Sequence, residues 1–78
     1  MILDESQKRN RHELIKYELR RRGLSFAKLA VAANRHRSVF AAVSATTKRS
    51  RRAACIIANA IDTTPEELWP EIYGGTDE

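Results

Sequence analysis

An all-α architecture is what this sequence predicts, on three observations. Apolar residues recur at helical spacing through most of the chain. Ser, Asn and Thr stand at the starts of the periodic segments, and Gly or Asn closes two of them. No run alternates apolar and polar residues in the manner of a strand. At 78 residues the chain makes one domain. A domain of this size buries only about 60% of its unfolded surface, which leaves one modest core and little room for a substrate cavity. The expected form is a compact bundle of four to five short helices over residues 10–73. A flexible arm at 1–9 and a disordered tail at 74–78 flank it.

Residues 1–9 lack periodicity, which reads as an arm. Asn10 with Glu13 three positions later can form a capping box, and Leu14, Ile15 and Leu19 then recur at helical spacing as far as Arg22. Gly23 stops this helix. Arg20, Arg21 and Arg22 oppose the negative end of its dipole, a role compatible with phosphate contact.

Ser25 is placed to cap a second helix of about eight residues, with Phe26, Leu29, Ala30 and Ala33 facing inward. Asn34 follows, one of the few residues with a Cβ that enter the left-handed region at low cost. The chain can turn there, and a third short helix should run from Arg37 or Ser38 to Ser44, burying Val39, Phe40 and Val43. With Phe26 as first position, Leu29 is fourth, Ala30 fifth, Asn34 ninth, Phe40 fifteenth and Val43 eighteenth. A helix-turn-helix needs a small residue at the fifth position, where the helices cross, and a left-handed turn former at the ninth. It needs core residues at the other three. Every requirement is met, with Asn in place of the more usual Gly. An ordinary helical hairpin shares the periodicity but does not demand this whole set.

In such a unit the second helix enters the major groove with its N-terminal residues toward base edges. Arg35, His36, Arg37 and Ser38 then form the leading end, and Ala41 and Ala42 come next, small enough to let the helix sit deep. Arg suits bidentate contact with guanine, and an alanine methyl can meet the thymine methyl. The following "SATTKRSRR" is a polar basic loop ending in Ser50, a cap for a fourth helix. Together with Arg22, Ser25 and Lys28, the loop's Lys48, Arg49, Arg51 and Arg52 are the expected phosphate contacts.

The fourth helix, "RRAACIIANAI", is apolar around much of its circumference and should be central to the core, with Cys55 packed as a small hydrophobe. A fifth starts in "DTTPEELW": Thr64 as N-cap, Pro65 at the first helical position and Glu67 closing a capping box. Pro70 halts it. Leu68, Trp69, Ile72 and Tyr73 then form an apolar cluster that reads as a lid on the core.

The net charge of +4 conceals a division along the chain. Residues 24–52 carry seven bases and no acid, residues 53–78 six acids and no base, and the first 23 residues a surplus of three bases. A base-only centre followed by an acid-only end suggests one face built for a polyanion and another turned away from it.

"LSFAKLAVAAN" followed by "IIANAIDTTPEELWPEIY" resembles the Ner family of phage-type DNA-binding proteins and its bacterial Ner-like regulators, over about residues 12–73. The resemblance rests on the "ANA" run, the Pro-Glu-Glu stretch, and the Trp-Pro pair followed by Tyr73. It implies a helical domain related to the lambda-repressor-like fold, and a transcriptional regulator that binds operator DNA, often as a repressor. The family's helix-turn-helix falls on Phe26 to Ser44. Two departures stand out: Glu71 and Ile72 occupy the stretch where the family tends to have an Arg before the final Tyr, and Asn10, Arg11 and His12 replace its Trp-His pair.

Other classes fit less well. His12 and His36 lie outside any metal-ligand spacing with Cys55, and no Gly-rich phosphate loop or Ser/His/Asp set is present. An enzyme is not expected, nor a cofactor or metal. The alternatives are a non-specific nucleoid or RNA-binding protein and a small adaptor whose acidic end docks a basic protein. A lone Cys, acids where a secretory signal has its basic region, and apolar runs far short of the ~20 residues that span a bilayer point to a cytoplasmic, nucleoid-associated protein with no membrane partner. Its partner is double-stranded DNA. One short recognition helix reads few base pairs, and no helix is spare for dimerisation, so a monomer or weak dimer in solution should pair on DNA.

Overall fold

The computed structural model describes residues 5–74; residues 1–4 of the expected arm at 1–9 and residues 75–78 of the expected tail at 74–78 lie outside them. Five helices follow one another: α1 (Glu5–Arg21), α2 (Phe26–Ala33), α3 (Arg37–Ser44), α4 (Arg51–Ala60) and α5 (Pro65–Leu68). No strand occurs among the described residues.

Local chemistry sets the boundaries of the middle helices. Ser25 Oγ accepts the backbone N–H of Lys28 at 3.1 Å and starts α2. Ser50 Oγ accepts that of Ala53 at 3.2 Å and starts α4. Gly23, at φ 74°, ends α1. Asn34 sits at φ 57°, ψ 47° and ends α2, where its own N–H and that of Arg35 reach back to the carbonyls of Val31 and Ala30. Each such cap satisfies backbone groups that a short helix would otherwise leave unpaired.

Two expectations need correction at the ends. The first helix begins at Glu5, not at Asn10, so residues 5–9 of the expected arm are helical and the Asn10–Glu13 capping box does not form. "ESQKRN" contains no helix breaker, and Glu5 complements the positive end of the dipole. Leu14, the first residue of the apolar period, is 55% exposed; α1 buries Ile15 and Leu19. At α5 the capping box is half made. Thr64 Oγ1 accepts the N–H of Glu67 at 3.2 Å, but the Glu67 carboxylate accepts the hydroxyl of Thr63 at 2.6 Å.

The core joins Ile15 and Leu19 of α1, Leu29 and Ala30 of α2, Phe40 and Val43 of α3, Ala53, Ala54 and Ile57 of α4, and Trp69 and Tyr73 from the closing turn. Ala30, where α2 and α3 cross, is 2% exposed, consistent with the need for a small residue there. Trp69 is wholly buried and meets Tyr73 edge to face, with ring centroids 6.1 Å apart. Its indole N–H donates to the Ser44 carbonyl at 3.3 Å. The buried Ser44 hydroxyl lies 2.8 Å from His12 Nδ1, and the His12 ring stacks on Phe26. One residue at the end of α3 thus ties the α2–α3 pair to both α1 and the closing turn.

The largest feature absent from the sequence reading is a clip between the chain ends. The Arg11 guanidinium donates to both carboxylate oxygens of Glu71, at 2.9 and 2.6 Å, and to the Leu68 carbonyl at 3.0 Å. Both side chains are more than four-fifths buried. Arg11 and Glu71 are residues from the two departures noted in the family pattern, and in three dimensions they are partners.

Candidate nucleic-acid interface

The tight turn at Asn34 delivers α3 with its N-terminus facing solvent. His36 is the N-cap, in an extended conformation at φ −80°, ψ 141°. Its Nδ1 accepts the backbone N–H of Ser38 at 3.1 Å and lies 2.8 Å from the Ser38 hydroxyl. A backbone N–H can only donate, so Nδ1 is the unprotonated nitrogen and the neutral ring carries its proton on Nε2. Capping therefore leaves an outward N–H donor. Arg35 and Arg37 flank it, exposed, and their side chains make no hydrogen bond or ion pair among the described residues. Together with Ala30, Val31 and Asn34, Arg35 and His36 line an open depression at the turn. Val31 is 81% exposed there, an apolar residue beside the turn that the sequence reading passed over.

The remaining expected base-contacting residues are placed less openly. Ser38 is exposed, but its hydroxyl is engaged by His36. Ala41 and Ala42 are half-buried. The carbonyl of Ala42 accepts the N–H groups of Thr47 and Lys48, at 2.9 and 3.3 Å, and so anchors the loop. The loop is accordingly folded back on the end of α3, with Thr46 at φ 64°.

The expected phosphate contacts divide. Lys48, Arg49 and Arg52 are exposed, and their side chains are without partners among the described residues. Ser25 is the α2 cap, and Lys28 beside it donates to the Gly23 carbonyl at 2.8 Å, so both stand at the start of α2. Two others are drawn elsewhere. Arg22 donates to the Glu18 carboxylate at 2.5 Å, one turn back along α1. Arg51 donates to Glu66 at 2.5 Å and lies over the Tyr73 ring, 5.5 Å from its centroid. Being the first residue of α4 turns its side chain toward α5 and away from the loop.

Three carboxyls are held below their usual range, each chiefly by a hydrogen bond from an arginine: Glu18 by Arg22, Glu66 by Arg51 and Glu71 by Arg11. Burial, assisted by Lys16, lowers the His12 pKa and favours its neutral ring. Among the described residues no cluster of His, Cys, Asp and Glu could hold a metal ion, and no helix is long and apolar enough to cross a membrane.

Residues 10–78 match a family described as winged helix-turn-helix DNA-binding. No curated protein and no solved structure matches the chain. A wing is ordinarily a β-hairpin, and the described residues contain none; the loop and α4 follow α3 directly.

Proposed function

The chain belongs to the winged helix-turn-helix DNA-binding family, and we propose that it is a sequence-specific transcriptional regulator of the Ner-like kind, acting as a repressor. α3 enters the major groove, with Arg35, His36, Arg37 and Ser38 toward base edges and Ala41 and Ala42 along the groove floor. Lys28, Lys48, Arg49 and Arg52 reach phosphates, with Ser25 at the start of α2. The observation that carries this reading is the Asn34 turn. It aims two unpaired arginines and a His N–H donor off the leading end of one short helix. Arg offers a bidentate fork for guanine, and an N–H donor suits the acceptors of the major-groove edge.

Pairing on DNA follows from size. Half-sites one helical turn apart are centred about 34–36 Å from each other. Across its Cα atoms the chain measures 32 × 27 × 21 Å, so two copies on one face of the duplex would meet edge to edge. Bound over a promoter, such a pair would exclude polymerase, with control exerted by protein concentration.

Selection of bound sequences from a random duplex pool is the direct test. A defined motif with two-fold symmetry is expected. Enrichment of no motif, or equal retention of unrelated competitor duplex and RNA, would instead identify a non-specific nucleic-acid coat.

A further inference from the structure

A second cationic surface lies at the opposite end of α3 from His36. The N-terminal half of α1 and the loop after α3 enclose a cleft of about 370 Å³, lined by Glu5, Lys8, Arg9, His12, Ala45, Thr46 and Thr47. Lys8 and Arg9 make no ion pair among the described residues, and Thr47 contributes a hydroxyl. Lys48 and Arg49 follow directly along the loop. Resting on the duplex-binding reading above, we propose that this cleft is a phosphate site, occupied by one backbone phosphate of the bound duplex.

α3 has eight residues and spans about 12 Å at 1.5 Å per residue. The major groove is about 12 Å wide. With the leading end of α3 at the base edges, its far end arrives at the wall of the groove, which is sugar and phosphate. The cleft opens at that end. Its anchor is rigid, because His12 is held by Ser44 and stacked on Phe26, and the loop is tied to the Ala42 carbonyl. Lys8 and Arg9 supply charge-assisted donors to an anion, while the Thr47 hydroxyl donates to the Ala42 carbonyl at 3.3 Å and helps fix the loop wall. Glu5 is the one acid in the lining, and its carboxylate opposes the anion. His12 reports occupancy: burial favours its neutral form, and a neighbouring phosphate favours its charged form. The helical start at Glu5 is what creates the site, since residues 5–9 as a loose arm would form no wall.

The test compares three proteins on one selected duplex and on unrelated duplex, over a range of salt. The Lys8→Gln/Arg9→Gln variant should bind both about three- to tenfold more weakly, with the slope of log K against log salt shallower by about 0.9 per lost phosphate contact. The Glu5→Gln variant should bind both more tightly, a gain that misfolding cannot imitate. Inorganic phosphate, followed through the His12 ring resonance, separates the sources of the anion. If it shifts His12 in the wild type while the double variant keeps the wild-type salt slope, the cleft takes a free anion and the duplex proposal is overturned. An unchanged slope with no His12 response overturns it equally, and the duplex-binding reading survives both results. Salt-independent binding by the wild type itself would overturn that reading and this one together.

Discussion

The recognition end and the closing end of the molecule use the same residue, arginine, in opposite ways. At the leading end of α3 and in the loop beyond it, Arg35, Arg37, Lys48, Arg49 and Arg52 face solvent with no acid in reach. At the closing end, Arg11 is locked to Glu71 and Arg51 to Glu66. The acid-rich C-terminal segment therefore does more than turn away from a polyanion. Two of its carboxylates take up the basic residues Arg11 and Arg51, and the cations left unpaired include those of the proposed interface. Charge counted along the chain does not distinguish these roles; the placement of the acids does.

That contrast breaks most completely at the closing end, where removal of one side chain should unfold the molecule without touching the recognition surface. Trp69→Ala deletes a wholly buried ring and its hydrogen bond to Ser44, and should cost about 3–5 kcal/mol in urea denaturation. Much of a small domain's stability is lost with it. Glu71→Gln comes next. It leaves the Arg11 guanidinium buried against a neutral amide and should cost about 2–3 kcal/mol, the pair being close to fully buried. This clip also gives stability an acid dependence of known sign. Because Arg11 holds the Glu71 carboxyl below its usual range, its contribution is complete above about pH 4.3, the unfolded value. It is lost as pH falls from there through the lower folded value. The Glu71→Gln variant should lack that part of the acid transition, and a wild-type curve superimposable on the variant's would contradict the clip.

How far the sequence went depends on whether a feature is local. Ser25, Asn34, Ser50 and Thr64 act on backbone groups within three or four residues, and the helix boundaries they announce are the observed ones to within a residue. The helix-turn-helix was legible for the same reason, as a spacing of small, turn and core residues. The start of α1 was not, because the polar residues 5–9 show no apolar period. Their helix continues one that packs through Ile15 and Leu19. Pairings such as Arg11 with Glu71, 60 positions apart, leave no trace in spacing. Of the phosphate-contact candidates, Arg51 and Arg22 were indistinguishable from Arg49 as letters. What separates them is an acid one helical turn away in the case of Arg22, and across to α5 in the case of Arg51.

At the recognition end the effects should be on binding and not on folding. Arg37→Ala should weaken the best duplex by about 1–3 kcal/mol and relax one base position, since a bidentate contact to a base edge is lost. Arg49→Ala should weaken every duplex alike and reduce the salt slope by about 1. Indistinguishable behaviour across a panel of duplexes would show that these two cations do not divide into base and phosphate roles. Urea midpoints of both variants should match the wild type, because neither side chain has a partner to lose.

The smallest expected effect is the sharpest test of the contrast, because it sets two arginines from the same basic run against each other. Arg49 and Arg51 are two positions apart in a run that carries no acid, and on charge alone both belong to the phosphate set. In the structure Arg51 is bonded to Glu66 and lies over Tyr73, and Arg49 has no partner. An arginine already neutralised by a carboxylate releases little counterion from DNA when removed. Arg51→Gln should therefore leave the slope of log K against log salt where it was, while Arg49→Gln makes it shallower by about 0.9. Glu66→Gln completes the comparison. Freed from its acid, Arg51 becomes available to a phosphate, so the slope should stay the same or steepen, never flatten. If Arg51→Gln and Arg49→Gln flatten it equally, the Glu66 pair opens when DNA arrives, and the closing end then contributes a cation to the interface after all.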